Sequence, residues 1–104
     1  MIKTLFHVPL TDNAGHPFPQ SLWDRLDEHL LRFGGFSVVP GVRGAWRDPA
    51  TGRVYNDVSN RYEVALASWA DLPAWLRVVR WARMEFRQVA VYVEIAGHPE
   101  ALTF

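Results

Sequence analysis

The chain has no cysteine, which removes disulfide frameworks, thiolate nucleophiles and Cys-ligated zinc together. Nor does it carry net charge: eleven Lys and Arg residues balance eleven Asp and Glu. No global field therefore draws it to a phosphate backbone or an anionic lipid, and nucleic-acid binding is disfavoured unless a local cluster supports it. No run approaches the roughly 20 apolar residues of a membrane helix. The opening MIKTLFHVPL, interrupted by His7 and Pro9, lacks the long apolar region and small-residue cleavage site of a signal peptide. These absences give the expectation of a soluble cytoplasmic protein without a membrane partner.

Chemical signatures are missing as well. There is no GxSxG, GxxxxGK or GxGxxG in the sequence, so neither a nucleophile elbow nor a phosphate-cradling loop is expected. His7, His16, His29 and His98 are scattered without HxxxH spacing, which supports neither a metal site nor a cofactor. The strand segment RYEVALA lacks the aromatic pattern of an RNA-recognition module.

What is present is enough for one packed core. At 104 residues, 49% hydrophobic and 13% aromatic, the chain fits a single domain that offsets its ordering entropy by burial. That domain is expected over residues 1–96, with 97–104 as a tail. Residues 2–8 alternate Ile2, Thr4, Phe6 and Val8 against Lys3, Leu5 and His7, the period of a strand. TDNAGHPFP is turn chemistry throughout. From Ser21 to Phe33, Leu22, Trp23, Leu26, Leu30 and Phe33 recur at helical spacing, and Gly34-Gly35 end the helix. FSVVPGVRGAW predicts an edge strand with a bulge at Pro40-Gly41. Asp48-Pro49-Ala50-Thr51-Gly52 predicts a hairpin loop, and residues 53–67 predict the returning strand. Asp71 and Pro73 open a second helix reaching about Arg87, and VAVYVEI over 89–95 closes the pattern as a strand. This order predicts an α+β fold, a ferredoxin-like β-α-β-β-α-β sandwich with two helices on one face of a four-stranded antiparallel sheet.

If the apolar strand faces meet the helices, the open face carries His7, Arg43, Arg47, Tyr55, Asp57, Arg61, Glu63, Tyr92 and Glu94. A solvated antiparallel face is polar by default, and pairs such as Arg61 with Glu94 would merely stabilise it. The functional alternative packs two such faces across a dyad around a cavity, with His7, Tyr92 and Glu94 as candidate catalytic residues. Arg43, Arg47, Asp57, Arg61 and Glu63 would then bind a ligand. The second helix offers another surface, where Arg80, Trp81 and Arg83, with Arg77 and Arg87, could hold an acidic partner or a nucleic-acid backbone. Pairing with the acidic first helix explains the same charges without a partner.

GGFSVVPGVRGAW-RDPATGRVY, RYEVALA and EFRQVAVYVEIAG together resemble small bacterial α+β proteins classed as domains of unknown function, across most of the chain. The resemblance rests on Gly44, Trp46, Arg47 and Asp48 of a GxW-RD hairpin and on Phe86, Arg87 and Gln88 before the last strand. It implies the α+β fold and no activity; Arg87 and Gln88 are expected to cap the second helix and tie it to the hairpin. The leading expectation is a homodimeric binding or interaction module, taking a small molecule or protein, without an evident catalytic motif. The alternative is a cofactor-independent isomerase or monooxygenase of the dimeric α+β barrel type. A third reading, from Arg clustering alone, is a nucleic-acid-associated or phage-defence accessory protein.

Overall fold

In the computed structural model, which describes residues 1–103, the elements run β1 (Ile2–Pro9), α1 (Gln20–Leu31), β2 (Ser37–Arg47), β3 (Val54–Leu66), a 3-10 turn (Trp69–Asp71), α2 (Leu72–Glu85), β4 (Val91–Ile95) and β5 (His98–Leu102). The sheet is antiparallel and five-stranded, in the order β2-β3-β1-β4-β5. The expected α+β class stands, but the sheet has a fifth strand: His98–Leu102 pairs with β4 in register Ile95↔His98 to Val91↔Leu102. The two-residue turn between them, Ala96-Gly97, has φ 52° and 84°, the left-handed pair that a tight hairpin between twisted strands requires. Alanine is poorly suited to that region. Ala96→Gly is expected to raise stability by about 0.5–1 kcal/mol, read as a higher urea midpoint at unchanged slope.

Alternation places one side of β1, β3 and β4 against both helices. Phe6, Val8, Val64, Leu66, Val91 and Val93 are buried there with Leu26 and Leu30 of α1 and Trp75, Val78, Val79 and Ala82 of α2. Aromatic rings fill the middle: Phe6 stacks on Tyr62 at 5.3 Å and meets the edge of Trp75 at 6.0 Å, while Trp23 and Phe18 pack on Phe86 at 4.7 and 4.8 Å. Phe86 is thus a core residue. Asp71 precedes α2, but its side chain makes no cap bond; Ser68 caps the preceding turn by accepting from the Ala70 amide at 3.2 Å. At the far end Arg87 sits at φ 53° and the Gln88 amide reaches the Arg83 carbonyl at 2.8 Å, a Schellman closure without glycine. Gln88 caps the helix end by donating to the Phe86 carbonyl at 2.8 Å.

One polar contact inside this layer is costly. The Asp27 carboxyl on α1 meets the Tyr62 hydroxyl, yet its Oδ1 is buried without a partner, and desolvation holds its pKa above the ordinary value. A carboxyl raised in the folded state binds its proton more tightly there, so stability falls as pH rises through 3.8, the unfolded value, and settles lower once the folded group ionises. Asp27→Asn is expected to raise the thermal midpoint at pH 7 and leave it nearly unchanged at pH 3, where the carboxyl is neutral in both states.

Candidate functional site

β1 is the central strand, and the side of it turned away from the helices presents Lys3, Leu5 and His7. Its register aligns His7 with Arg61 and Leu5 with Glu63 on β3, and Leu5 with Glu94 on β4. One step further along β4 the Tyr92 ring lies 4.9 Å from the His7 ring. The result is a short polar field over the middle of the sheet, laid on a Leu5 that is itself buried.

His7 is the hub of this field. Arg61 donates from Nε to His7 Nε2 at 3.2 Å, a bond that only a neutral imidazole can accept. Burial first, and then the Arg61 charge, push the His7 pKa below 6.5, while Asp57 and Glu94 pull the other way. Tyr92 is raised by desolvation first and then by its hydrogen bond to the Glu94 carboxylate. Near neutral pH the field therefore offers a neutral imidazole, a protonated phenol, the Arg61 guanidinium and the carboxylates of Asp57, Glu63 and Glu94. Three carboxylates against Arg61 and Lys3 leave it locally acidic, beside an exposed aromatic ring, a setting that attracts a cation.

The expected Arg61–Glu94 pair is replaced by the Arg61–His7 bond, because β1 lies between β3 and β4 and separates the two backbones by ~10 Å. His16 and Asp12 make an ion-pair contact, 3.7 Å apart, in the loop after β1. Arg43 and Arg47 leave the open face. The bulge between Val39 and Val42 shifts the β2 register, so that Val42 faces Ser59, Gly44 faces Asp57 and Trp46 faces Tyr55; Arg43 and Arg47 turn to the other side, where Arg47 Nη1 donates to the Gly52 carbonyl at 2.9 Å and braces the turn. Gly44 has a separate consequence. A Cβ there would meet Asp57 Oδ1 at 2.8 Å, so the missing side chain is what lets Asp57 fold across β2.

The outer ends of β2 and β3 form an arm running past the helices. Trp46 stacks on Tyr55 at 4.8 Å, and the Arg53 guanidinium lies 5.0 Å over Tyr55. Val38, Val39, Val54 and Val58 are exposed along it. On the helix layer, Trp81 is held between His29 at 4.6 Å and Arg25 at 5.1 Å, both from α1. Arg83 folds back to donate to the Gln88 carbonyl at 3.1 Å, and Arg80 is exposed. The Arg-Trp surface of α2 is thus divided between contacts to α1 and to its own C-terminus. Over the open face itself one small depression, about 80 Å³, lies beside Lys3, Leu5 and Glu94, while a larger open cavity of about 490 Å³ lies at the end of the sheet, between the loop after α1 (Phe33, Gly35, Phe36) and Lys3 and Glu63.

Solved structures share this fold. The fold resembles that of a phage SAM lyase. That lyase in complex with S-methyl-5'-thioadenosine matches with a TM-score of 0.74 at 18% identity, over 99% of this chain and 89% of that one; its apo state matches at 0.70 and 19% identity, over the same shares. The divalent cation tolerance protein CutA1 of Thermus thermophilus matches at 0.59 and 14% identity, over 91% of this chain and 82% of that one. No protein-family model and no curated protein matches the sequence. The structural likenesses establish the fold. Among the described residues, no group of three or more His, Asp or Glu side chains is placed to hold a metal ion, and no helix is long and apolar enough to cross a membrane.

Proposed function

We propose that the chain is a cofactor-independent lyase acting on S-adenosylmethionine, with the open sheet face around His7, Arg61, Tyr92 and Glu94 as its site. The observation that carries this reading is the locally acidic, aromatic field on the open face of a fold nearly coextensive with the phage SAM lyase. A sulfonium is a permanent cation, and carboxylates beside a π-face are a fitting environment for one.

The reaction asks little of a protein in acid–base terms. Release of S-methyl-5'-thioadenosine breaks the bond between sulfur and the γ-carbon of the amino-acid arm, with the electron pair going to sulfur. The hydrogens on the neighbouring carbon are far too weakly acidic for His7 or Glu94 to remove. The substrate's own carboxylate therefore attacks the γ-carbon, closing a five-membered lactone with no proton transferred. Attack turns a carboxylate and a sulfonium into a neutral ester and a neutral thioether, the ammonium keeping its charge throughout, so the transition state has less charge separation than the substrate. A site that excludes water and holds the near-attack geometry speeds such a step.

Exclusion of water calls for a cover, and the most economical one is a second copy. The β2–β3 arm is bare of helices, with Trp46 55% exposed and Val58 44%. Its edge strand invites pairing, and the open face itself is only shallowly concave. Self-association burying both surfaces would enclose the field.

The test is incubation of the purified chain with S-adenosylmethionine, with product analysis by mass spectrometry alongside mass determination by light scattering. S-methyl-5'-thioadenosine and homoserine lactone should accumulate in equal amounts from an oligomer. An oligomer that leaves the substrate no more degraded than a heat-denatured control sinks the lyase reading, and an active species of monomer mass sinks the need for a cover.

A further inference from the structure

Arg61 is tethered at one edge and unengaged at the other. Its Nε is committed to His7 at 3.2 Å, and no carboxylate forms an ion pair with it among the described residues. The free edge of a guanidinium fixed in this way is the planar two-nitrogen fork that matches a carboxylate. Glu94 is the complementary group: a half-buried carboxylate on β4, near enough to Tyr92 to help hold its phenol protonated, with no cation paired with it among the described residues. The two residues rise from strands flanking β1, with backbones ~10 Å apart. They are two residues out of register, Arg61 beside His7 and Glu94 beside Leu5, so a small zwitterion would lie obliquely over β1, held by hydrogen bonds of ~2.8 Å at each end.

We propose that Arg61 and Glu94 form an α-amino-acid clamp over β1, with the Arg61 fork taking the α-carboxylate, Glu94 taking the α-ammonium, and His7 acting as a positioning residue that fixes the fork through Nε. The clamp deepens the lyase reading by naming what holds the amino-acid arm of the substrate, and it stands or falls on amino-acid chemistry alone. It also assigns the cation-seeking character of the face to the ammonium as well as the sulfonium. Held by Arg61, the carboxylate is restrained in rotation before it attacks the γ-carbon, which is an orientational contribution.

His7 supports the clamp only while neutral. The groups facing it are Arg61, Asp57 and Glu63 from β3 and Tyr92 and Glu94 from β4, with Lys3 further along its own strand. Protonation removes the acceptor for Arg61 Nε and sets two cations side by side. Carboxylate binding therefore weakens as pH falls through the lowered His7 pKa.

Two probes test this. Binding of S-adenosylmethionine is compared with binding of its decarboxylated analogue in the wild type, Arg61→Lys and Arg61→Met. The wild type should prefer the carboxylate-bearing compound by about 30-fold or more, Arg61→Lys by less, and Arg61→Met by under about threefold, in line with loss of a charge-assisted bidentate contact. His7→Phe should lose part of the preference, His7→Gln, which keeps an acceptor, should recover it, and the acid-side decline below pH 6.5 should flatten in His7→Gln. The second probe needs no nucleoside: L-methionine, but not L-methioninol, should shift the Arg61 Nε–H resonance. If L-methionine moves that resonance while S-adenosylmethionine is neither bound nor cleaved, the clamp holds and the lyase reading falls. A wild type that does not discriminate, or a preference surviving in Arg61→Met, overturns the clamp; so does an Arg61 signal indifferent to L-methionine when no nucleoside binds.

Discussion

Glu94→Gln is expected to lower kcat/KM for S-adenosylmethionine about 100-fold while leaving the affinity for S-methyl-5'-thioadenosine unchanged. Removing one partner of a desolvated, hydrogen-bonded charge pair costs about 2–5 kcal/mol; Glu94 is only half-buried, which argues for the lower part of that range, and each 1.36 kcal/mol is tenfold. The product lacks the ammonium that Glu94 is proposed to hold, so its binding is the internal control. The ammonium takes no part in the bond changes, so Glu94 grips it alike in the ground state and the transition state and the loss should fall mainly in KM. Tyr92→Phe removes the hydroxyl that interacts with Glu94 and should cost less, about three- to tenfold, the scale of one polar interaction with a charged group. Kinetics and product affinity for the three proteins, with circular dichroism to confirm folding, decide the matter. A Glu94→Gln enzyme within about threefold of wild type removes Glu94 from the site.

The residues that make up this field were legible wherever strand alternation ran uninterrupted. β1 and β4 are regular, and His7, Tyr92 and Glu94 face away from the helices as the period of two requires. Arg61 and Glu63 follow from the same rule on β3. Arg43 and Arg47 lie on the opposite side from the one plain alternation predicts, because the extra residue at the Pro40-Gly41 bulge reverses the side of every residue beyond it. The bulge itself was readable, but the register it selects was not, since both alternatives put apolar side chains on an arm that no helix covers.

Two further features lay outside what local pattern can reveal. Strand order decides which charges meet: with β1 between β3 and β4, Arg61 and Glu94 address the same space without touching, which turns an ordinary cross-strand pair into a gap. β5 was hidden because His98-Pro99-Glu100 has neither alternation nor β-branched residues, and its proline reads as a breaker. Proline is tolerated there because β5 is the edge of the sheet. The helix layer shows the same limit. A helical wheel turns Arg83 outward, but its long stem returns the guanidinium to the Gln88 carbonyl.

Trp75→Ala is expected to destabilise the fold by about 3–5 kcal/mol, the range for deleting a large buried aromatic side chain, against a total of roughly 5–15 kcal/mol for a domain. Trp75 is fully buried between α2 and the sheet and sets its ring edge-on to Phe6 at 6.0 Å. Trp75→Phe should be far milder. The indole Nε1 is buried without a hydrogen-bond partner, so Phe loses volume but also removes an unpaired donor, and the two effects oppose each other. Urea midpoints of the three proteins at constant slope measure the difference. The consequence reaches the site through one peptide bond: Phe6 and His7 are neighbours on β1 facing opposite ways, and the packing that immobilises Phe6 is what holds His7 level with Arg61. At urea concentrations where Trp75→Ala is still folded, it should therefore show a weakened preference for carboxylate-bearing ligands, which Trp75→Phe retains. A Trp75→Ala protein as stable as wild type would mean that the core closes around the cavity, and that the placement of His7 depends on the sheet hydrogen bonds alone.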